Sequence, residues 1–231
     1  MILKKMIGSF TLFELWLWLG SMTLITVSFL MMSAEDYLTL AASLIGVTAL
    51  ICCAKGYVSG QIQIIVFSVF YGVISFYFRY YGEMITYLGM TTPIAVMTMI
   101  EWIRHPFGKS AEVTVSRMTK RKLWAMIALT AVVTTVFYFI LDVLENTNLF
   151  FSTVSVATSF IAGYLTLMRS PYYALGYAAN DIVLVVLWVL AAMEERGYFS
   201  MVICFVLFLV NDIYGFVNWK RMQRRQEETV N

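Results

Sequence analysis

Residues 199–219 read FSMVICFVLFLVNDIYGFVNW, an apolar run of bilayer length that carries Asn211, Asp212, Tyr214, Asn218 and Trp219 in its second half. A helix of about 20 apolar residues crosses a membrane. A polar side chain at that depth costs up to about a few kcal/mol unless a neighbouring helix, a water-filled cavity or a ligand satisfies it. The stretch predicts a membrane-spanning helix with a polar seam, and it is the first place to look for a site.

Runs of the same kind recur along the chain, in which 61% of residues are apolar and 13% charged. Hydropathy places eight spans at about 12–32, 37–54, 61–79, 84–103, 123–142, 149–168, 172–193 and 199–219. The expected fold class is all-α integral membrane. The first run follows Lys4 and Lys5, is too long for the apolar region of a signal peptide and ends in no small-residue cleavage site, so it reads as a span. With both termini inside, all of the 16 Lys and Arg residues except Arg79 and Arg196 fall on the cytoplasmic side. That is the bias of the positive-inside rule. Acids do the reverse, with Glu35, Asp36, Glu83, Asp142, Glu145, Glu194 and Glu195 on the outer loops.

The net charge of +2 therefore points to lipid headgroups and not to nucleic acid. The loop from Arg104 to Lys122 holds no Gly-rich phosphate loop, so the chain by itself burns no ATP. Cys52, Cys53 and Cys204 lie in or at the end of apolar runs without metal-ligand spacing, and the single His105 reads as loop surface. No metal site and no cofactor is expected.

Sliding the chain over itself by 117 residues aligns 37–104 with 154–221 without a gap and matches Gly46 to Gly163, Arg79 to Arg196, Trp102 to Trp219 and Arg104 to Arg221. Spans 2–4 are one unit and spans 6–8 its copy. Three spans per unit would invert the copy; span 5 supplies the extra crossing, so the repeats are parallel, as in sugar transporters of the SWEET type. The expected layout is an extra N-terminal helix in 1–33, a first repeat in 34–104, a basic loop in 105–122, a linker helix in 123–147, a second repeat in 148–221 and a cytoplasmic tail in 222–231.

The same offset sets Gln63 on Asn180 and Tyr71 on Trp188, an amide followed eight residues on by a large ring in the middle helix of each unit. Eight residues is a little over two turns, so amide and ring share nearly one face. Span 7 carries Tyr177, Asn180, Asp181 and Trp188 on its stripe, and span 8 carries Asn211, Tyr214 and Asn218, with Asp212 and Trp219 to the side. In the first unit Ile94 and Met97 stand opposite Asn211 and Tyr214, and Pro93 interrupts span 4, so binding chemistry is expected to be weighted to the second unit. Interhelical hydrogen bonding accounts for any single amide. It does not require rings and carboxylates at helical spacing beside them. Trp102 and Trp219 read as cytoplasmic belt residues, and Glu14 as facing a neighbouring helix or subunit. A cationic heterocycle on a sugar suits such a lining: rings for its face, Asp181 or Asp212 for its charge, amides for its hydroxyls.

The run Asn211-Asp212-Ile213-Tyr214-Gly215-Phe216-Val217-Asn218-Trp219-Lys220-Arg221, with Ala179-Asn180-Asp181-Ile182 in span 7, resembles the repeat-ending pattern of the PnuC family of bacterial vitamin transporters. Length, parallel repeats around a linker helix and the basic tail extend the resemblance over about 37–225. It implies a three-plus-one-plus-three core, a homotrimer in the bacterial cytoplasmic membrane, and facilitated uptake of nicotinamide riboside, trapped by a cytosolic kinase. On matching positions it implies Asn180 and Asn211 as polar contacts, Trp188 and Tyr214 as ring contacts, and Gln63 from the aligned helix. With Tyr71, Asp181 and Asn218 these complete the expected substrate site. Thr91-Thr92-Pro93 departs from the family pattern and leaves room for thiamine or riboflavin. Glu14, Glu101, Asp181 and Asp212 keep proton coupling open. A membrane enzyme or sensor is the more distant alternative, against which stand the lack of a histidine cluster and of any Ser-His pairing.

Overall fold

The computed structural model describes residues 10–32, 37–77, 81–146 and 148–230. Lys4, Lys5, Glu35, Asp36 and Arg79, which entered the orientation or the repeat alignment, lie outside the described residues. The chain is all-helical: α1 (Leu12–Met32), α2 (Tyr37–Ala54), α3 (Val58–Tyr77), α4 (Tyr81–Ile85), a π-helical stretch Thr86–Thr91, α5 (Thr92–Arg104), α6 (Lys120–Val143), α7 (Leu149–Leu167), α8 (Tyr173–Glu194), a 3₁₀ turn Arg196–Tyr198 and α9 (Phe199–Val230). By length and composition α1, α2, α6, α7, α8 and the apolar part of α9 can each cross a membrane. The chain is thus a multi-pass membrane protein.

Helix α2 packs on α3 and α3 on α5; α7 packs on α8 and α8 on α9. The two sets meet where α9 crosses α2 and α5 crosses α7. Helix α1 lies against α2 and α9, and α6 against α7, with the apolar face of Trp124, Val132 and Phe139 left exposed.

The π stretch has a local cause. Pro93 has no N–H to donate, and the Thr92 N–H instead reaches back to the Tyr87 carbonyl, widening the turn. The Thr92 hydroxyl also donates to Tyr87 O (2.9 Å) and shares a 2.8 Å hydrogen bond with Ser68 on α3. The freed backbone is therefore satisfied inside the bundle, as membrane depth requires.

Close helix approach rests on small residues. A Cβ on Gly176 would sit 2.8 Å from the Ala162 Cα, which is backbone and cannot yield. Gly176→Ala is expected to destabilise the α7–α8 contact by about 1–3 kcal/mol, read as a lower thermal midpoint in detergent; an unchanged midpoint would show that the two helices can slide apart at no cost.

At the end of the bundle that holds the 105–119 loop, Trp102 and Trp219 are almost wholly buried (1% and 0% exposed) with their rings 5.5 Å apart. Each indole N–H crosses to the other set of helices: Trp102 donates to Thr166 O (3.1 Å) and Trp219 to Cys53 O (2.8 Å). They are not belt residues. The crossing of α5 and α9 turns both rings inward. Tyr173, Leu165, Val113 and Met222 complete this cluster. Past Trp219, α9 runs on as a helix and zips onto the loop. Gln226 Nε2 donates to Val113 O (3.0 Å) and Val115 N–H donates to Gln226 Oε1 (2.8 Å), while Arg225 pairs with Glu112 and Arg117 with Glu227 (2.9 Å). Its hydrogen bond with Arg117 holds the Glu227 carboxyl below its ordinary range. Residues 222–230 are thus a helical extension docked on the loop.

Candidate functional site

A cavity lies where the two sets of helices meet. From the first set come Gly46 on α2, Gln61 and Phe67 on α3, Glu83 on α4, Thr86, Tyr87 and Met90 around the π stretch, and Ile94 and Thr98 on α5. From the second come Ser155, Ser159 and Gly163 on α7, Tyr177, Asn180, Asp181 and Leu184 on α8, and Phe205, Phe208 and Asp212 on α9. The lining reaches Gly82, Glu83, Asn146 and Ser152 at the end away from the Trp102–Trp219 cluster. Both sets contribute residues to the lining. Thr91-Thr92-Pro93, where the first set departs in sequence, opens the π turn that brings Thr86, Tyr87 and Thr91 to the cavity.

Asn180 is held from α7. Its Oδ1 accepts from Ser155 Oγ (3.1 Å), Thr158 Oγ1 (2.9 Å) and Ser159 Oγ (3.0 Å). Three donors on Oδ1 fix the amide so that Nδ2 is the end left to donate. Positions 155, 158 and 159 share one helix face, so the Ser-x-x-Thr-Ser spacing was the overlooked signal in the sequence. Asp181 is buried beside Asn180 at 4% exposure and Asp212 at 3%, and their carboxyl groups are in direct contact. Gly46 and Gly163, matched by the repeat offset, both line the cavity, and each meets a side chain of the opposite set: Phe208 at 2.7 Å and Ile94 at 2.9 Å from an added Cβ. The lining thus offers rings, hydroxyls, an amide donor and carboxyls. It includes no Lys, Arg or His among the described residues.

Of the expected site residues, Asn180 and Asp181 line this cavity; Gln63, Tyr71, Trp188, Asn211, Tyr214 and Asn218 do not. Asn211 is 1% exposed and donates to Ser21 Oγ on α1 (3.1 Å) and to Leu207 O (2.8 Å). Tyr214 donates to Glu14 Oε1 on α1 (2.7 Å), and Asn218 to Ala54 O at the end of α2 (2.8 Å). This stripe of α9 is the seam against α1 and α2, and Glu14 closes it by pairing with Lys55 at 3.0 Å. The cavity takes the neighbouring stripe, Phe205, Phe208 and Asp212, one residue and about 100° further round the helix. Gln63 Nε2 turns to Cys52 Sγ (3.7 Å), while Gln61 supplies the lining from α3. Tyr71 and Trp188 sit one layer back. The Tyr71 ring lies 4.6 Å from Tyr87, and the Trp188 ring stacks on Phe205 at 6.4 Å, each backing a residue that does line the cavity.

The sequence profile of a family described as nicotinamide mononucleotide transporters matches residues 36–221. The chain belongs to this family. A curated relative, the nicotinamide riboside transporter PnuC of Neisseria mucosa (strain ATCC 25996 / DSM 4631 / NCTC 10774 / M26), is 25% identical over 228 residues, 96% of this chain and 86% of that protein. The crystal structure of the vitamin B3 transporter PnuC superposes with a TM-score of 0.81 at 24% identity, covering 95% of each chain. That likeness shows the fold of this family member, and the region matched by the profile begins just before α2, leaving α1 outside it.

Proposed function

We propose that this family member carries nicotinamide riboside into the bacterial cytoplasm by facilitated diffusion, and that it is a transporter and not an enzyme. The observation that carries this reading is the cavity at the meeting of the two helix sets, with rings, hydroxyls, the Asn180 amide and carboxyls but no basic side chain among its described lining. Nicotinamide riboside is a flat pyridinium carboxamide on a ribose. Phe67, Tyr87, Tyr177 and Phe208 suit the ring, and Asn180 and the α7 hydroxyls suit the carboxamide or ribose. A nucleotide would bring a phosphate into a lining of carboxyls with nothing to neutralise it, so the riboside is favoured over the mononucleotide. The curated relative, a riboside transporter, supports the same choice.

In this reading α4, the π stretch and α5 make one crossing, so that the chain spans the membrane eight times. The loop end with its basic residues is cytoplasmic, as are both termini. Helices α2–α5 and α7–α9 are the two parallel repeats, α6 is the linker and α1 is the extra helix. The cavity reaches the outer loops and is closed by Trp102 and Trp219 at the cytoplasmic end, so alternating access consists of parting that cluster while the outer end closes. Phosphorylation in the cytosol traps the vitamin, and the exposed apolar face of α6 suits lipid or a neighbouring protomer in a homotrimer.

Asn180→Ala is expected to weaken nicotinamide riboside binding by about 10–100-fold, the loss of one or two hydrogen bonds in a dry site, while the protein stays folded. Calorimetry on purified protein and uptake into sealed vesicles measure it. Heat with thiamine or riboflavin and none with nicotinamide riboside would replace the substrate, and accumulation above equilibrium driven by a proton gradient would replace facilitation.

A further inference from the structure

Among the described residues lining the cavity, Glu83, Asp181 and Asp212 are the ionisable carboxyls, and no cationic side chain stands among them. Glu83 lies in α4, at the end of the lining away from the Trp102–Trp219 cluster. Asp181 and Asp212 lie deep, on α8 and α9, in contact with one another. Elsewhere in the bundle two acids are matched: buried Glu14 by Lys55 and the Tyr214 hydroxyl, and half-buried Glu101 by Arg169 (3.5 Å) and His105 (3.2 Å). None of the cavity carboxyls meets a cation among the described residues, and Asp181 goes further. Its Oδ2 is buried with no hydrogen-bond partner among the described residues, and the group it faces is a second acid.

A buried polar atom without a partner is costly, so Asp181 Oδ2 is open to a group that the protein itself does not supply. Two touching carboxyls are completed by a shared proton or by a positive charge, and a bound cation takes the place of that proton. Phe208 and Phe205, about one and two turns before Asp212 on α9, place aromatic faces on the same lining as the acids, where a flat cation is held by charge and by ring quadrupole.

We propose that Asp181 and Asp212 together form a charge-selective subsite, which holds the positively charged heterocycle of the substrate and rejects an uncharged ring of the same shape. This deepens the transport reading above and rests on it. The neutral ring loses that attraction and enters next to buried acids whose charge it does not offset, and a site whose buried charges are left uncompensated discriminates strongly. The pair therefore determines specificity, while Asn180 and the α7 hydroxyls serve either ligand.

The test compares nicotinamide riboside with benzamide riboside, a carbon-linked neutral riboside with the same planar carboxamide ring. Both are titrated by calorimetry into full-length wild type, Asp181→Asn, Asp212→Asn and the double variant, in sodium buffer and in N-methylglucamine buffer. The amide replacements are nearly isosteric, and a monodisperse elution profile checks that each variant is folded. The expected result is that wild type binds the cationic riboside about 100-fold more tightly than the neutral one, that each single variant cuts this ratio at least about tenfold by weakening the cation, and that the double variant binds the two comparably. Wild-type affinities within about threefold of each other overturn the inference and leave the transport reading standing. So does an equal loss of both ligands in the variants. Binding of both ribosides that appears only in sodium would assign the acids to a metal cation instead. Wild type that binds neither riboside removes the transport reading and the inference with it.

Discussion

Trp219→Ala is expected to lower the free energy of unfolding by about 4 kcal/mol, the largest single effect foreseen for this protein. The indole is fully buried, 4.8 Å from the Tyr173 ring and 5.5 Å from Trp102, and its N–H donates to Cys53 O. Truncation leaves a cavity at the point where α9 crosses α2, bordered by backbone that cannot collapse into it. The Cys53 carbonyl also accepts from Gly56 N–H (2.8 Å), so it is not orphaned. Trp219→Phe, which keeps most of the ring, is accordingly expected to cost only about 1–2 kcal/mol. Unfolding in mixed detergent and sodium dodecyl sulfate micelles measures both. If alanine costs less than about 1 kcal/mol, the ring contributes no more than an interfacial tryptophan would.

The second large effect is expected at Glu14. Its carboxylate, 2% exposed, takes the Lys55 ammonium at 3.0 Å, the Tyr214 hydroxyl at 2.7 Å and the Thr11 N–H at 2.6 Å. Glu14→Ala removes the carboxylate from its pair with Lys55, which is only 12% exposed, and breaking a buried pair from one side costs about 3 kcal/mol. Replacing both partners, Glu14→Met with Lys55→Met, is expected to recover most of that loss, because no uncompensated charge remains. Riboside affinity should stay within about threefold of wild type in both. An affinity drop above tenfold at unchanged stability would move Glu14, and Tyr214 with it, from the helix seam to the substrate path.

The two predictions locate the boundary of what could be read in advance. The helices were legible because bilayer length and apolarity are one-dimensional properties. The spans placed at 12–32 and 37–54 coincide with α1 and α2, and the other helices start or end within a few residues of the runs in the sequence. Pro93 was legible as an interruption, although the π turn it produces was not. The family was legible from Asn211 to Arg221.

The site was legible in part. Asn180 and Asp181 fall on the cavity because the polar face of α8 is turned toward it. Asn211, Tyr214 and Asn218 lie outside this cavity because α9 has two polar faces: one seals it to α1 and α2, and the other, through Asp212, lines the cavity. Periodicity shows that a helix carries a polar stripe but not what lies opposite. A stripe that binds another helix and a stripe that binds a ligand have the same residue types, since both must satisfy polar groups away from water. Gln61 against Gln63 is the same ambiguity at smaller scale.

Sequence alone thus determined that this is a multi-pass helical membrane protein of the PnuC kind, because hydropathy and a repeat-ending motif survive without three-dimensional information. Only the tertiary structure decided that the tryptophans face inward, that Glu14 and Tyr214 fasten α1, and that Asp181 meets Asp212 in the cavity. The physical reason is rotation. One residue turns a helix by about 100°, and which of two polar faces meets the partner helix and which the cavity is set by how the helices pack.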